Sequence, residues 1–276
     1  PLGSAHPMTR VDESTSAGCL VNIESYQKIA GERGGVLIYE TCADKPDERR
    51  EINRYESSYP PYAHSWGLTD TFVVVPHQTC YADTKLMFKD NVYLVDAFRE
   101  SEEESATIML APLDGSEPIA FHIEAPFYYT HVVNAFDTED GVVFDVVTFN
   151  RCAFNGGVIV RDYVTNPDRR NSHDFMGTTK RFVLHTTGEK RGQYEVTDLS
   201  QSNVYTDFTR INDKAQSKPY CHYYAAENFH GPSDLYGSMA VVKQSLCAPG
   251  AEASISVEVQ PPVYWQKENY FPGEPL

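Results

Sequence analysis

Short runs of β-forming residues recur along this chain, and they restrict its fold more than any other feature of the sequence. Turns rich in Gly, Asp, Asn and Pro separate the runs, as in the Asp-Thr-Glu-Asp-Gly segment at residues 137–141. This pattern is typical of short antiparallel strands, and no comparably long amphipathic helical pattern competes with it. The runs predicted as strands are residues 35–39, 71–76, 92–97, 106–110, 141–148, 157–163, 180–185 and 239–243.

So many short strands predict an all-β fold, which is a sandwich, a barrel or a propeller. The length of 276 residues favours a propeller, but no repeat of the WD or kelch type is present, so periodicity alone leaves the choice open. The polar segments at residues 42–59 and 166–179 are predicted to be surface loops. Neither is long enough to separate independent domains, so residues 1–276 are expected to form a single domain.

Charge and cysteine pattern exclude some partners and favour a compartment. The formal net charge of -16 argues against nucleic acid, because binding to phosphate needs a basic surface. The six cysteines are scattered, without a CxxC pair, and their spacing suggests neither zinc nor a dense disulfide framework. A reducing compartment, cytosol or plastid, is therefore predicted.

Both ends of the sequence predict an incomplete chain. The first four residues, Pro-Leu-Gly-Ser, lack an initiator Met and fit either the scar of a cleaved tag or native sequence from a truncated frame. The last residues show no domain-closing element. No apolar run approaches the length of a transmembrane helix, and no signal-peptide pattern is present.

Three histidines stand beside predicted strands or tight turns. They are His6 in SAHP, His64 in YAHSWGLTD and His131 in YTHVVNAFD. Their spacing of roughly 60 residues is far outside the short-range zinc motifs, and a lone histidine is more often structural than a ligand. The residues by themselves therefore assign no metal.

Five segments in colinear order nevertheless resemble motifs of the carotenoid cleavage oxygenases, the family that includes the retinal-pigment-epithelium isomerohydrolase. The matches are SAHP with "TAHP", HSWGLT with "HSFGLT", residues 130–137 with "FHxxNAxE", residues 207–225 with "EFPxIN…GKxYRYxY", and residues 270–275 with "YPxEPxFV". In the third match, Thr130 and Asp137 stand where the motif has Phe and Glu. Together the matches extend over essentially the whole chain.

The resemblance implies a seven-bladed β-propeller with iron(II) on its axis, held by four histidines whose rings are oriented by carboxylates. By position, His6, His64 and His131 would be metal ligands. Asp207 and Glu274 would accept a ring N–H. Asp207 is one methylene shorter than the Glu of the motif, which predicts a longer or water-mediated hydrogen bond to His131.

The fourth histidine of the family would lie beyond residue 276, and neither His222 nor His230 stands in a matching motif. The resemblance therefore implies a propeller that lacks its N- and C-terminal parts. For this chain alone we expect weak iron binding and no useful activity.

For the intact protein, the resemblance implies O2-dependent cleavage of a conjugated double bond in a carotenoid or apocarotenoid, giving carbonyl products. The partner would be an apolar polyene, bound in an apolar tunnel of the protein. Peripheral membrane contact would occur at the mouth of this tunnel. Stilbene cleavage, retinoid isomerohydrolysis and a non-catalytic, ligand-binding propeller stay open as alternatives. Candidates for tunnel lining are Tyr128, Tyr129, Phe136 and Phe208, although an aromatic beside a strand is more often core.

Overall fold

The computed structural model describes residues 2–11, 18–27, 34–87, 89–101, 105–124, 127–154, 165–172, 175–200, 205–229 and 235–273. The chain divides into two compact units, residues 1–124 and 125–276. The described residues are mostly strands with a few short helical turns, so the all-β prediction is confirmed. Every helix that the structure describes is too short or too polar to cross a bilayer.

The first sheet of the N-terminal unit is antiparallel and has the order β1-β3-β4-β5, with β2 also paired to β3. Alternate residues of β3 and β4 point into the core, where Val21, Ile23, Val36 and Ile38 are buried. The strands are β1 Leu2–Gly3, β2 Met8–Val11, β3 Gly18–Gln27, β4 Gly34–Cys42 and β5 Lys45–Ser57.

The second sheet of this unit has the order β11-β10-β7-β6, and β8 pairs with β9 in a separate ribbon. Trp66 and two valines of β7 join the first sheet's apolar residues in one core cluster. The elements are β6 Gly67–Leu68, β7 Phe72–His77, β8 Cys80–Ala82, helix α1 Thr84–Met87, a 3₁₀ turn at Leu94–Ala97, β9 Phe98–Glu100, β10 Thr107–Pro112 and β11 Ile119–His122.

The C-terminal unit contains two four-stranded antiparallel meanders, in which each strand pairs with the next along the chain. Such four-stranded meanders are the repeating unit of β-propellers. The first comprises β12 Tyr128–Asp137, β13 Gly141–Phe149, β14 Gly177–His185 and β15 Tyr194–Asp198, with helix α2 at Pro167–Arg170. The second comprises β16 Thr206–Arg210, β17 His222–Glu227, β18 Ala240–Ser245 and β19 Val263–Trp265, with a 3₁₀ turn at Asp213–Ala215.

The pairing of β13 with β14 depends on a glycine at the start of β13. A Cβ atom at Gly141 would lie 1.9 Å from the carbonyl oxygen of Leu184 on β14. Only a residue without a side chain permits this approach of the two backbones.

Most predicted strands are found in the structure, with different ends. The runs beginning at residues 35, 71, 106, 141, 180 and 239 correspond to β4, β7, β10, β13, β14 and β18. The prediction at residues 92–97 was wrong, because this apolar stretch forms the 3₁₀ turn. The run at residues 157–163 lies outside the described residues.

The two predicted loops were largely wrong. Residues 42–59 contain β5, whose first seven residues are exposed at the edge of the first sheet, so charged side chains occur within a strand. The segment at residues 166–179 contains helix α2, capped by the Asn166 side chain, and the start of β14.

Each unit contains a disulfide that joins neighbouring strands. Cys19 on β3 lies opposite Cys42 on β4, and the two are bonded. Cys221, just before β17, is bonded to Cys247, just after β18. The spacing of the cysteines had suggested no dense disulfide framework. It could not reveal these bonds, because the pairing of residues across neighbouring strands is not visible along the chain.

Candidate functional site

Two of the predicted metal ligands meet within the N-terminal unit. His6 follows β1, and His64 lies between β5 and β6. Their Nε2 atoms are 3.3 Å apart, and the two rings meet edge to face with centroids separated by 5.0 Å. The backbone holds this arrangement, because Ser4 donates from its hydroxyl to the carbonyl of His64 at 2.8 Å and the Ala5 amide donates to the same oxygen.

The facing nitrogens of His6 and His64 limit what the pair can do. Two N–H groups cannot point at each other across 3.3 Å, so either one ring donates to the other or both direct their Nε2 lone pairs to one cation. Neutral imidazoles with converging nitrogens suit iron(II) and other divalent transition metals. The donor set of this unit therefore fits a metal ion.

Tyr62 provides an aromatic wall beside this pair. Its ring lies nearly parallel to that of His64, with centroids 6.3 Å apart. Burial raises the pKa of the Tyr62 phenol, so the group stays neutral at physiological pH. It adds no charge beside the histidines.

The third predicted ligand, His131, lies on β12 in the C-terminal unit and is buried together with Asp207 of β16. Its Nδ1 is 2.8 Å from Oδ1 of Asp207. With an ionised carboxylate as the acceptor, Nδ1 carries the hydrogen and the lone pair lies on Nε2. This is the tautomer that a metal ligand requires. The hydrogen bond is direct, so the longer or water-mediated contact expected for a shorter side chain was wrong.

Thr130 and Tyr205 also contact this carboxylate, and neither was predicted as a site residue. The Thr130 hydroxyl donates to Oδ1 of Asp207 at 2.7 Å, and the Tyr205 hydroxyl lies 3.5 Å from Oδ2. Thr130 departs from the phenylalanine of the family motif, and this departure could have indicated a contact at this position. For Tyr205, two residues before Asp207, the sequence shows no comparable signal.

Bulges in β12 and β16 create the arrangement around His131. On β12, Thr130 and His131 stand between the ladder pairs Tyr129↔Thr148 and Val132↔Val146, so two residues oppose one. This bulge lets neighbouring side chains reach one carboxylate, whereas in a regular strand they would point to opposite faces.

A second bulge lies on β16, between the ladder residues Asp207 and Arg210. Within it Phe208 has a φ of 57°, a left-handed conformation that is uncommon for a residue with a side chain. The bulge brings Phe208 as well as Asp207 to His131, with ring centroids 5.1 Å apart. Such strained positions cluster at functional sites.

The structure thus brings together His6 with His64 in the N-terminal unit, and His131 with Asp207 in the C-terminal unit. Glu274, the other predicted carboxylate, lies outside the described residues. His222, which the motifs did not support as a ligand, is exposed at the start of β17, with its Nδ1 3.0 Å from the Ser245 hydroxyl.

Comparison with protein families gives a match along almost the entire chain. The model of the family described as retinal pigment epithelial membrane protein matches residues 2–276.

Known proteins that are similar to this chain in sequence or structure are also carotenoid or apocarotenoid oxygenases by name. A curated relative, the carotenoid isomerooxygenase of Galleria mellonella, is 22% identical over 224 residues, which cover 79% of this chain and 40% of the relative. The crystal structure of cobalt-substituted ACO, the apocarotenoid oxygenase of Synechocystis, is similar with a TM-score of 0.65 at 15% identity. An ACO/RPE65 chimera has a TM-score of 0.64, also at 15% identity. Each structural match covers 88% of this chain and 48% of the other, so the chain spans about half the length of these proteins.

Proposed function

This chain belongs to the retinal pigment epithelial membrane protein family, that of the carotenoid oxygenases, and from this premise we propose that the intact protein is a non-haem iron(II) dioxygenase. Its reaction is the O2-dependent cleavage of a conjugated carbon–carbon double bond in a carotenoid or apocarotenoid. Two carbonyl products result, each with one oxygen atom from O2. The names of the relatives support this substrate class.

The hydrogen bond from His131 to Asp207 carries the proposal. A histidine that binds a metal uses such a carboxylate partner to fix its tautomer and strengthen its donor nitrogen. The converging nitrogens of His6 and His64 give independent support in the other unit. We assign these three histidines to the metal, with Asp207 and Glu274 as carboxylates that accept ring N–H groups.

When bound, iron(II) would supply open coordination positions for O2 activation. The protein's own residues then have defined tasks. The Ser4 hydroxyl holds His64 by donating to the backbone carbonyl of His64. Asp207 holds the His131 ring and keeps the hydrogen on Nδ1. Aromatic side chains such as Phe208 would exclude water and pack against an apolar polyene.

The complete fold that we propose is a seven-bladed propeller, of which this chain forms a part. The two meanders of the C-terminal unit have the strand order of propeller blades. Because the chain spans about half of its relatives, the fourth histidine would lie in the remainder of the protein. Peripheral membrane contact would let the enzyme take an apolar polyene from a bilayer.

Isomerisation is a second candidate activity, because the Galleria mellonella relative is named an isomerooxygenase. One experiment separates the candidates. The full-length, iron-loaded protein is incubated with carotenoid and apocarotenoid substrates under ¹⁸O2, and the products are analysed by mass spectrometry. Labelled aldehydes or ketones are expected from the wild type and a strong loss from His131→Ala.

Other products would lead to other conclusions. A geometric isomer without O2 consumption would show an isomerohydrolase, and cleavage of a stilbene in place of a polyene would change the substrate class. Substrate binding without any product would show a non-catalytic propeller.

A further inference from the structure

The carboxylate of Asp207 is shared between two donors that are adjacent in sequence. Its Oδ1 accepts from the Thr130 hydroxyl at 2.7 Å and from Nδ1 of His131 at 2.8 Å. All three residues are buried, with at most 6% of each exposed. In such surroundings a carboxylate oxygen takes the orientation that its donors impose, because water does not compete for it.

The short aspartate side chain explains why a second donor matters. Asp207 reaches His131 only because the bulge on β12 brings positions 130 and 131 to the same carboxylate. Rotation about its Cβ–Cγ bond would carry Oδ1 away from the imidazole, and the contact from the Tyr205 hydroxyl to Oδ2 is long, at 3.5 Å. The Thr130 hydroxyl provides the short hydrogen bond that opposes this rotation.

Thr130 and Asp207 are also two of the positions at which this chain departs from the motifs that it resembles, and Asp137 is another. Those motifs place Phe before the histidine and Glu opposite it. A phenylalanine has no donor and a glutamate has a longer reach, so each combination is consistent within itself. Thr130→Phe with Asp207 retained would lack both the longer reach and the second donor.

From these contacts we propose that Thr130 is a positioning residue, which acts with Asp207 as a matched pair to orient the His131 imidazole and hold its hydrogen on Nδ1. The inference rests on the proposed function only in taking His131 as a metal ligand. Thr130 donates to the same oxygen as His131, so it fixes that oxygen against rotation of the carboxylate. The pair therefore sets the direction of the Nε2 lone pair.

The first test needs neither metal nor activity. Full-length protein labelled with ¹⁵N-histidine is prepared metal-free, and the tautomer of His131 is measured by NMR at a fixed pH at which the ring is neutral. The wild type is expected to be almost entirely the Nδ1–H form. Thr130→Val, which keeps the shape and removes the donor, should give a mixture of tautomers, whereas Thr130→Ser should match the wild type.

The second test measures affinity for cobalt(II) alone, a stand-in for iron that is stable in air. Loss of an outer hydrogen bond of this kind weakens metal binding by about tenfold. We expect that loss for Thr130→Val and for Thr130→Phe, less than a twofold change for Thr130→Ser, and recovery in the double variant Thr130→Phe/Asp207→Glu. A merely structural role for Thr130 would not give recovery by the glutamate.

The proposal is overturned if folded Thr130→Val shows the wild-type tautomer and cobalt affinity, or if wild-type His131 is mainly the Nε2–H form. If Thr130→Val does not fold, the wild type decides through a slowly exchanging Thr130 hydroxyl proton with a nuclear Overhauser contact to Nδ1–H of His131. Its absence overturns the proposal. Failure to cleave polyenes would leave these results unchanged, so the two proposals fail independently.

Discussion

Asp145 on β13 lies directly opposite Arg181 on β14, and their side chains form a buried, bidentate ion pair with N–O distances of 2.9 and 2.7 Å. The Tyr220 hydroxyl donates to the same carboxylate at 2.6 Å, and Arg181 also donates to the carbonyl of Ile255 at 2.8 Å. Burial, followed by the nearby charge of Asp145, raises the pKa of Tyr220 and keeps it a donor. This network joins both meanders of the C-terminal unit.

Removing one member of this network should be costly. Asp145→Asn leaves the Arg181 charge buried without its counter-charge, and we expect a loss of about 3–5 kcal/mol in the free energy of unfolding. Urea denaturation measures it. The matched control is Asp198→Asn, which breaks the more exposed pair with Lys180 and should cost less than about 1 kcal/mol. Equal losses in the two variants would contradict the buried-pair account.

His77 predicts sensitivity to acid. It is buried on β7, with its ring edge-on to Tyr59, and burial lowers its pKa from 6.5 to about 4. Between these two values the unfolded chain binds a proton that the folded chain does not. The contribution of His77 to stability is thus complete above pH 6.5 and falls by about 3 kcal/mol as the pH drops to 4.

Denaturation curves of wild type and His77→Phe between pH 7.5 and pH 4 test this. The variant should lose less stability on acidification than the wild type by about that amount, since it has no imidazole to protonate. The exposed His122, changed to Gln, is the control and should follow the wild type. Parallel pH profiles for wild type and His77→Phe would show that His77 is not buried in neutral form.

The disulfides predict an oxidising environment for folding, in contrast to the compartment expected from cysteine spacing. The bonds Cys19–Cys42 and Cys221–Cys247 close loops with sequence separations of 23 and 26. Each should stabilise the fold by about 3 kcal/mol relative to its paired serine variant. Alkylation of protein from its native source, followed by mass spectrometry, should leave these four cysteines unmodified until a reductant is added. Labelling before reduction would contradict the prediction.

The sequence predicted strands best where burial is continuous. All residues of β13 are buried, and its run of valines and phenylalanine is unambiguous. The charged edge strand β5 was missed because exposure at an edge removes the apolar pattern. Conversely, the apolar side chains at residues 92–97 imitated a strand although they form a turn.

The candidate site could be predicted only through resemblance. His131 and Asp207 are 76 residues apart, and no spacing rule joins them. The departure from the motif marks Thr130, but its contact with Asp207 could not be predicted, because the contact depends on bulges in β12 and β16 that arise from tertiary pairing. Cross-strand register similarly concealed the disulfides.

X-ray absorption spectroscopy at the iron edge on the full-length protein tests the proposed iron site. We predict stoichiometric iron with an all-imidazole protein ligand set, from which single changes of His6, His64 or His131 to Ala each remove one imidazole. Protein without iron after anaerobic reconstitution, or a spectrum unchanged by all three substitutions, would contradict it.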